Sequence, residues 1–150
     1  MEHSENFKKA LKFTLRWEGS YVNNPYDRGG PTNRGITQGV YTAYRLNKHQ
    51  TPKHIRHISS YEVKDIYHIK YWNLAGCSKL DPKLAIAVFD FSVNSGVPRA
   101  LRYLKLVKGD LDKYLDKREE FFRIIGRGTQ KRFLKGWLNR LKALREYLEG

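Results

Sequence analysis

Two carboxyl side chains and one hydroxyl lie close together in the first quarter of the chain: Glu18, Asp27 and Thr32. A pair of carboxyl groups is what most enzymes use to cleave a glycosidic bond. One gives a proton to the leaving oxygen, and the other acts as a base or nucleophile. A hydroxyl five residues after the second carboxyl can orient a water molecule or a ring substituent. These residue types in this order are therefore compatible with glycoside hydrolysis.

The surroundings predicted for the two carboxyl groups differ. Glu18 follows a predicted helix, whose C-terminal end carries a partial negative charge that disfavours a carboxylate. Its neighbours Trp17 and Tyr21 can supply an apolar pocket, so we expect its pKa to be raised, as a general acid requires. Asp27 lies among glycine and asparagine residues, where we expect backbone amides and water to favour its ionised form. A solvated glutamate and a turn-forming aspartate are the alternative interpretations.

Apolar residues recur at helical spacing along nearly the whole chain, so predicted helices must position this segment. The first helix is predicted from about Ser4, its cap, to Trp17, and Gly19 can end it. Residues 19–35 are rich in glycine, proline and asparagine and predict one long loop. The count is six or seven helices. The later ones are predicted to begin near Thr37, Ser59, Asp81, Pro98, Asp110 and Thr129.

The segment Trp17–Thr37, with the sequence WEGSYVNNPYDRGGPTNRGIT, resembles the signature of glycoside hydrolase family 108, E-G-G-Y-V-N-x-P-x-D-P-G-G-x-T-N-x-G-I-T. Residues 71–72, 89–96 and 133–140 resemble the predicted peptidoglycan-binding half that follows in this family. Ser20 stands where the pattern has glycine, and Arg28 where it has proline; neither change removes a catalytic group.

The resemblance implies a mainly α, lysozyme-like domain of phage endolysin type that hydrolyses the β-1,4 bond between N-acetylmuramic acid and N-acetylglucosamine. It implies Glu18 as the essential acid. The similar spacing in T-even phage lysozymes supports Asp27 as base or electrostatic stabiliser and Thr32 as the residue that positions water or substrate. We expect a single domain over residues 1–150, with a catalytic half at 1–70 and a peptidoglycan-binding-like half at 71–150.

Four further residues are predicted to contact the saccharide: Tyr21, Asn33, Trp72 and Asn94. Aromatic rings such as Tyr21 and Trp72 can stack on sugar faces, although aromatic residues at these spacings more often belong to a core. The resemblance implies that Asn94 faces the cleft; the alternative is a polar residue near the end of a helix.

Other polar residues are predicted to be structural. Asp90 lies among apolar residues on a predicted helix, so, if buried, it needs a partner such as arginine or tyrosine. His54 and His57 are three residues apart without a third ligand, and the single cysteine excludes an intramolecular disulfide and a cysteine-based zinc site. We therefore expect neither a metal nor a cofactor.

The charge of the chain points to a polyanionic partner. Lys and Arg number 29 against 15 Asp and Glu, a formal net charge of +14. Residues 127–145 contain seven basic and no acidic side chains. We expect attraction to peptidoglycan and to an anionic envelope surface of lipopolysaccharide, teichoic acid or phospholipid. A nucleic-acid-binding module without catalytic activity is the alternative, but no helix-turn-helix, zinc-finger or RNP-like signature accompanies the charge.

The sequence shows neither a signal-peptide core nor an apolar run of about 20 residues. We therefore expect a monomer that is made in the host cytoplasm and acts in the periplasm or cell wall.

Overall fold

Residues 3–25 and 30–150 are described in the computed structural model. In this part of the chain seven α-helices account for most of the structure, as the sequence predicts. They are α1 (Glu5–Glu18), α2 (Gln38–Asn47), α3 (Ser60–Tyr67), α4 (Pro82–Ser95), α5 (Val97–Leu106), α6 (Leu111–Ile125) and α7 (Leu134–Glu149). Short 3₁₀ turns occupy Ile55–His57, Cys77–Lys79 and Lys131–Phe133, and a π-helical turn, His68–Asn73, continues α3.

Several predicted helix starts are confirmed by their capping contacts. The Ser4 hydroxyl accepts a hydrogen bond from the Phe7 amide, and Thr37 caps α2 in the same way. Ser59 and Glu62 form a complete capping box at the start of α3. Each of these bonds satisfies a backbone donor that the first turn of a helix leaves free.

The last helix begins later than predicted, at Leu134 rather than near Thr129. The chain folds back at Gly126, whose backbone packs against Leu134: a Cβ added to this glycine would lie 3.0 Å from the Cβ of Leu134. The intervening residues are taken up by turns and by the 3₁₀ turn, so the regular helix starts only after Phe133.

The predicted loop contains a small antiparallel sheet that the sequence pattern does not predict. Its strands are β1 (Tyr21–Val22), β2 (Thr32–Asn33) and β3 (Ile36–Thr37), in the order β1-β2-β3. Asn33 pairs with Ile36, so Arg34 and Gly35 form a two-residue hairpin turn. Both have positive φ, 52° and 80°, as a type I′ turn requires. Strands of two residues are too short to produce a visible alternation in sequence.

Helix α4 is the centre of the fold. Its residues from Leu84 to Ser92 are all buried, and it packs against α1, α5 and α6. Side chains from both halves of the chain share one core: the ring of Phe7 lies 5.4 Å from that of Trp72 and 5.8 Å from that of Phe89. In the described segments, no helix has both the length and the apolar character needed to cross a bilayer.

Candidate active site

Glu18 is the last residue of α1, where Gly19 ends the helix with a φ of 75°. Its side chain is 21% exposed, whereas the preceding Trp17 is 37% exposed. Consecutive helical residues point about 100° apart. Residues distant in sequence lie close to Glu18: a Cβ added to Gly35 would lie 3.2 Å from the Glu18 Cβ.

The pKa of Glu18 is raised above its ordinary value, in the direction that the sequence predicts. Burial is the largest cause, because it penalises the charged carboxylate. The positive charge of Arg140 opposes this effect, and the negative charge of Asp90 adds to it. A carboxyl group with a raised pKa that is still partly accessible can hold a proton and deliver it.

Arg140, on α7, contacts Glu18 directly. Its Nη1 atom lies 3.6 Å from Oε2 of Glu18, and its side chain is 6% exposed. Another edge of the same guanidinium group binds Asp90: Nη2 is 2.8 Å from Oδ1, and Nε donates to Oδ2 at 3.2 Å. One buried arginine therefore bridges the carboxyl at the end of α1 and a carboxylate inside α4.

Asp90 is fully buried and has three partners from three different elements. Besides Arg140, the Thr14 hydroxyl donates to its Oδ1 at 2.8 Å, and Nη2 of Arg118 lies 2.8 Å from its Oδ2. Burial alone would raise the pKa of Asp90, but the charges of Arg118 and Arg140 outweigh it and hold this pKa below its usual value. The expectation that a buried Asp90 has a partner such as arginine or tyrosine is confirmed, and two of its three partners are arginines.

Arg118 is also fully buried, on α6. Its guanidinium carbon lies 5.1 Å from the ring centre of Phe91 and 5.3 Å from that of Phe122, within the range of cation–π contacts. The two rings and Asp90 together accommodate a charge that the core could not otherwise hold.

The Arg34–Gly35 turn approaches Glu18 from the side of the sheet. A Cβ added to Gly35 would lie 2.6 Å from the Tyr67 hydroxyl and 3.2 Å from the Cβ of Glu18. The Tyr67 hydroxyl donates a hydrogen bond to the carbonyl oxygen of Arg34. Tyr67 thus ties the hairpin turn to the end of α3, next to the candidate acid.

Two of the predicted saccharide contacts have packing roles, which corrects the prediction. Trp72 is 2% exposed and packs edge-on against Phe7 and Phe89, so its ring has no free face. Asn33 is 6% exposed, and its amide donates to the carbonyl oxygen of Ile55 at 3.2 Å. The backbone alternates sides along β2, and Asn33 is the residue that points inward.

Thr32 and Tyr21 are partly accessible. Thr32 is half-buried on β2, opposite Val22 and Thr37. Tyr21 is half-buried on β1, with the guanidinium carbon of Arg56 5.4 Å from its ring centre.

Asn94 is half-buried and follows Asp90 on α4 by one helical turn, just as Glu18 follows Thr14 on α1. Asp27, the predicted second carboxyl, lies outside the described residues.

No group of three or more His, Cys, Asp or Glu side chains in residues 3–25 and 30–150 is arranged as metal ligands would be. His54 instead caps the 3₁₀ turn after it, accepting a hydrogen bond from the Arg56 amide at 3.0 Å.

Sequence reasoning missed Arg140 and Arg118 as parts of the site. A signal was present, because each stands on the apolar face of its helix: Arg140 between Trp137 and Leu144, and Arg118 between Leu115 and Phe122. An arginine in such a position needs a buried anion, and Asp90 is the matching acid on the apolar helix α4.

The chain is similar to a protein family and to a protein of known structure. A solved structure, that of SagA from Brucella abortus, matches with a TM-score of 0.75 and 27% sequence identity; the match covers 95% of this chain and 92% of that one. No curated protein matches the chain significantly. The model of the family Glycosyl hydrolase 108 matches residues 11–96, more than half of the chain, and this range includes Glu18 and Asp90. The chain therefore belongs to glycosyl hydrolase family 108.

Proposed function

We propose that this protein is an N-acetylmuramidase: it cleaves the β-1,4 bond between N-acetylmuramic acid and N-acetylglucosamine in peptidoglycan, with Glu18 as the general acid. The observation that carries this proposal is the place of Glu18 at the end of α1, as a partly accessible carboxyl next to Arg140, in a member of a glycoside hydrolase family. Burial raises the pKa of this carboxyl and so favours its protonated form. Such a group meets the chemical requirement for protonating a glycosidic oxygen.

In the proposed reaction the Glu18 carboxyl gives its proton to the glycosidic oxygen while the bond between that oxygen and the anomeric carbon breaks. The departing sugar leaves with a new hydroxyl group, and Glu18 is left as a carboxylate. Positive charge develops on the anomeric carbon, and water finally supplies the oxygen that replaces the lost bond. The proton that this water loses goes to the base or to the Glu18 carboxylate, and its return to Glu18 restores the acid for the next cycle.

A second group must activate this water or stabilise the developing charge. Asp90 is unsuited to this task, because it is fully buried and both of its oxygens are held by arginine side chains. We therefore assign the second role to Asp27, as base or electrostatic stabiliser, and the positioning of water or substrate to the Thr32 hydroxyl. Tyr21 and Asn94, both half-buried, are the proposed saccharide contacts.

The proposed setting is the lysis of a bacterial host cell by a phage endolysin. The net charge of +14 suits a protein that must stay on an anionic wall while it cuts many bonds. In this interpretation the basic surface holds a monomeric enzyme at its polymeric substrate by long-range attraction to phosphate and carboxylate groups of the envelope.

The test is the clearing of a suspension of bacteria whose outer membrane has been permeabilised. We expect the wild-type protein to clear it and Glu18→Gln to lose at least about a hundredfold in rate, the contribution usual for general acid catalysis. Glu5→Gln is the matched control: the same change in the same helix, at a side chain that is 81% exposed. Equal clearing by wild type and Glu18→Gln would refute the role of Glu18.

Mass spectrometry of the released fragments identifies the bond. A muramidase leaves N-acetylmuramic acid at the new reducing ends, whereas N-acetylglucosamine at these ends would contradict the proposed specificity. Absence of any clearing, together with tight and salt-sensitive binding to DNA, would favour the nucleic-acid-binding alternative.

A further inference from the structure

We propose that Arg140 is a positioning residue for Glu18. Asp90 holds Arg140 in place, and Arg140 orients the Glu18 carboxyl and stabilises the carboxylate that forms when the proton leaves. This inference rests on the proposed function for its catalytic meaning. The electrostatic interaction between Arg140 and Glu18 can be measured without an activity assay.

The guanidinium group of Arg140 is suited to this role because its nitrogen atoms are divided between the two acids. Nε and Nη2 face Asp90, which leaves Nη1 for Glu18 at 3.6 Å. The group is planar and rigid, so anchoring one edge on Asp90 determines where the other edge points. Asp90 itself cannot move easily, since Thr14 and Arg118 hold it from two other helices.

The charge balance of the buried groups explains what Arg140 does for the reaction. Asp90, Arg118 and Arg140 together carry one net positive charge, and an ionised Glu18 brings the sum to zero. Loss of the Glu18 proton therefore removes an uncompensated charge from a poorly solvated region, where charge interactions are strong. Burial opposes this effect by favouring the protonated form. Because the two effects oppose each other, the Glu18 carboxyl binds its proton and can still release it.

Two tyrosines also face Glu18, from α3 and from the π-helical turn that follows it. Their phenols experience the charge of Glu18, and both Tyr67 and Tyr71 have raised pKa values, mainly through burial. They are therefore neutral throughout the working pH range and add no charge to the balance. Among the described residues, the charged groups that act on Glu18 are Arg140 and Asp90.

The rival explanation is that Arg140 only stabilises the fold by neutralising Asp90. Arg118 separates the two explanations, because it pairs with the same carboxylate from α6 but is in contact with Phe91 and Phe122 rather than with Glu18. A purely structural role predicts similar consequences for both arginines. A positioning role predicts that only changes at Arg140 alter the titration of Glu18.

The experiment is an NMR titration of the Glu18 side-chain carboxyl carbon in the full chain labelled with ¹³C-glutamate, with Glu18→Gln used to assign the signal. In Arg140→Gln, Glu18 should bind its proton about tenfold more tightly than in wild type, so its titration midpoint should move to higher pH. Tenfold is the lower end of what an opposite charge at this distance contributes. Arg140→Lys should shift the midpoint in the same direction by less, because a single ammonium group cannot hold Asp90 at two atoms and also reach Glu18.

Arg118→Lys, the control, should leave the Glu18 midpoint where it is in wild type. An unchanged midpoint in Arg140→Lys, or an equal shift in Arg118→Lys, would overturn the proposal. Arg140→Lys keeps a positive charge next to Asp90, so it serves if Arg140→Gln does not fold.

The rate of clearing as a function of pH then links the coupling to catalysis. In the Arg140 variants, we expect the alkaline fall of the rate–pH curve to move to higher pH by the same amount as the NMR midpoint. The maximal clearing rate should be reduced. A shifted NMR midpoint in a protein that clears no cells would refute the proposed function alone. Normal clearing with an unshifted midpoint would refute the role of Arg140 alone.

Discussion

The backbone of Gly35 lies directly against the hydroxyl group of Tyr67, so that a Cβ at residue 35 would be 2.6 Å from that oxygen. The same Cβ would lie 3.2 Å from the Cβ of Glu18. Gly35 also has a φ of 80°, in the left-handed region that favours glycine. The hairpin turn thus reaches the candidate acid only because this residue has no side chain.

We expect Gly35→Ala to lower both stability and activity. The left-handed backbone costs about 1–2 kcal/mol for a residue with a Cβ, and the contacts with Tyr67 and Glu18 add to this. The Cβ must push the turn or the carboxyl away, so the rate of clearing should fall more than the stability loss explains. Urea unfolding and clearing assays check the two effects.

Gly76→Ala is the matched control, because Gly76 has a similar φ of 67° but nothing within 4 Å of an added Cβ. It should show the backbone cost alone, with normal clearing by the folded protein. Equal losses of activity in the two variants would contradict the argument from close approach.

Tyr67→Phe removes the hydrogen bond to the Arg34 carbonyl while keeping the buried ring. We expect a loss of about 1 kcal/mol in the free energy of unfolding, the usual net value of one hydrogen bond. Because the turn loses its tie to α3, the clearing rate should fall several-fold. Combination with Gly35→Ala should cost less than the sum of the single changes, because the hydroxyl that the new Cβ meets is gone.

Asp90 should make the folded protein sensitive to acid. Its pKa is lower in the folded state than the 3.8 of an ordinary aspartate, so its stabilising effect is present above about pH 4 and is lost as the pH falls through the folded-state value. Asp90→Asn leaves two buried arginines without their anion and should cost about 3–5 kcal/mol at pH 7. Urea unfolding should show this difference shrinking below pH 4, and the exposed Asp112→Asn should change little at either pH.

Glu18 should affect stability with the opposite sign. Its pKa is raised in the folded state above the ordinary 4.5, so the folded protein binds this proton more tightly than the unfolded chain. The resulting stabilisation is present at low pH and is lost as the pH rises from 4.5 through the folded-state value. Glu18→Gln should therefore have a higher melting temperature than wild type at pH 7, with the difference disappearing near pH 4. A lower melting temperature at pH 7 would contradict the raised pKa.

Salt should weaken action on the whole cell wall. Between 0.01 and 1 M salt the screening length falls from about 30 to about 3 Å, which removes the long-range attraction of a chain with a net charge of +14. We expect the clearing rate to fall at least several-fold over this range. Turnover of a short, soluble glycan fragment, which carries few charges, should change much less, and an equal loss on that fragment would show that salt acts on the catalytic groups instead.

The local features of the fold were predictable from sequence because neighbouring residues determine them. The hydroxyl groups of Ser4, Thr37 and Ser59 cap helices through contacts three residues away. The position of Glu18 at the end of α1 follows from the helical spacing before it and the glycine after it. The two-residue strands around Arg34 were not predictable, since they depend on pairing across the hairpin.

The amino-acid sequence by itself determined the helices, the segment that bears the candidate acid, and the need of a buried Asp90 for a cationic partner. Only the tertiary structure decided which cations meet that need and that one of them also reaches Glu18. Arg140 is 122 positions away from Glu18 in the chain, and the packing of α7 against α1 brings them together. The same packing put Trp72 in the core and the Gly35 turn at the carboxyl, because burial depends on which faces of distant helices meet.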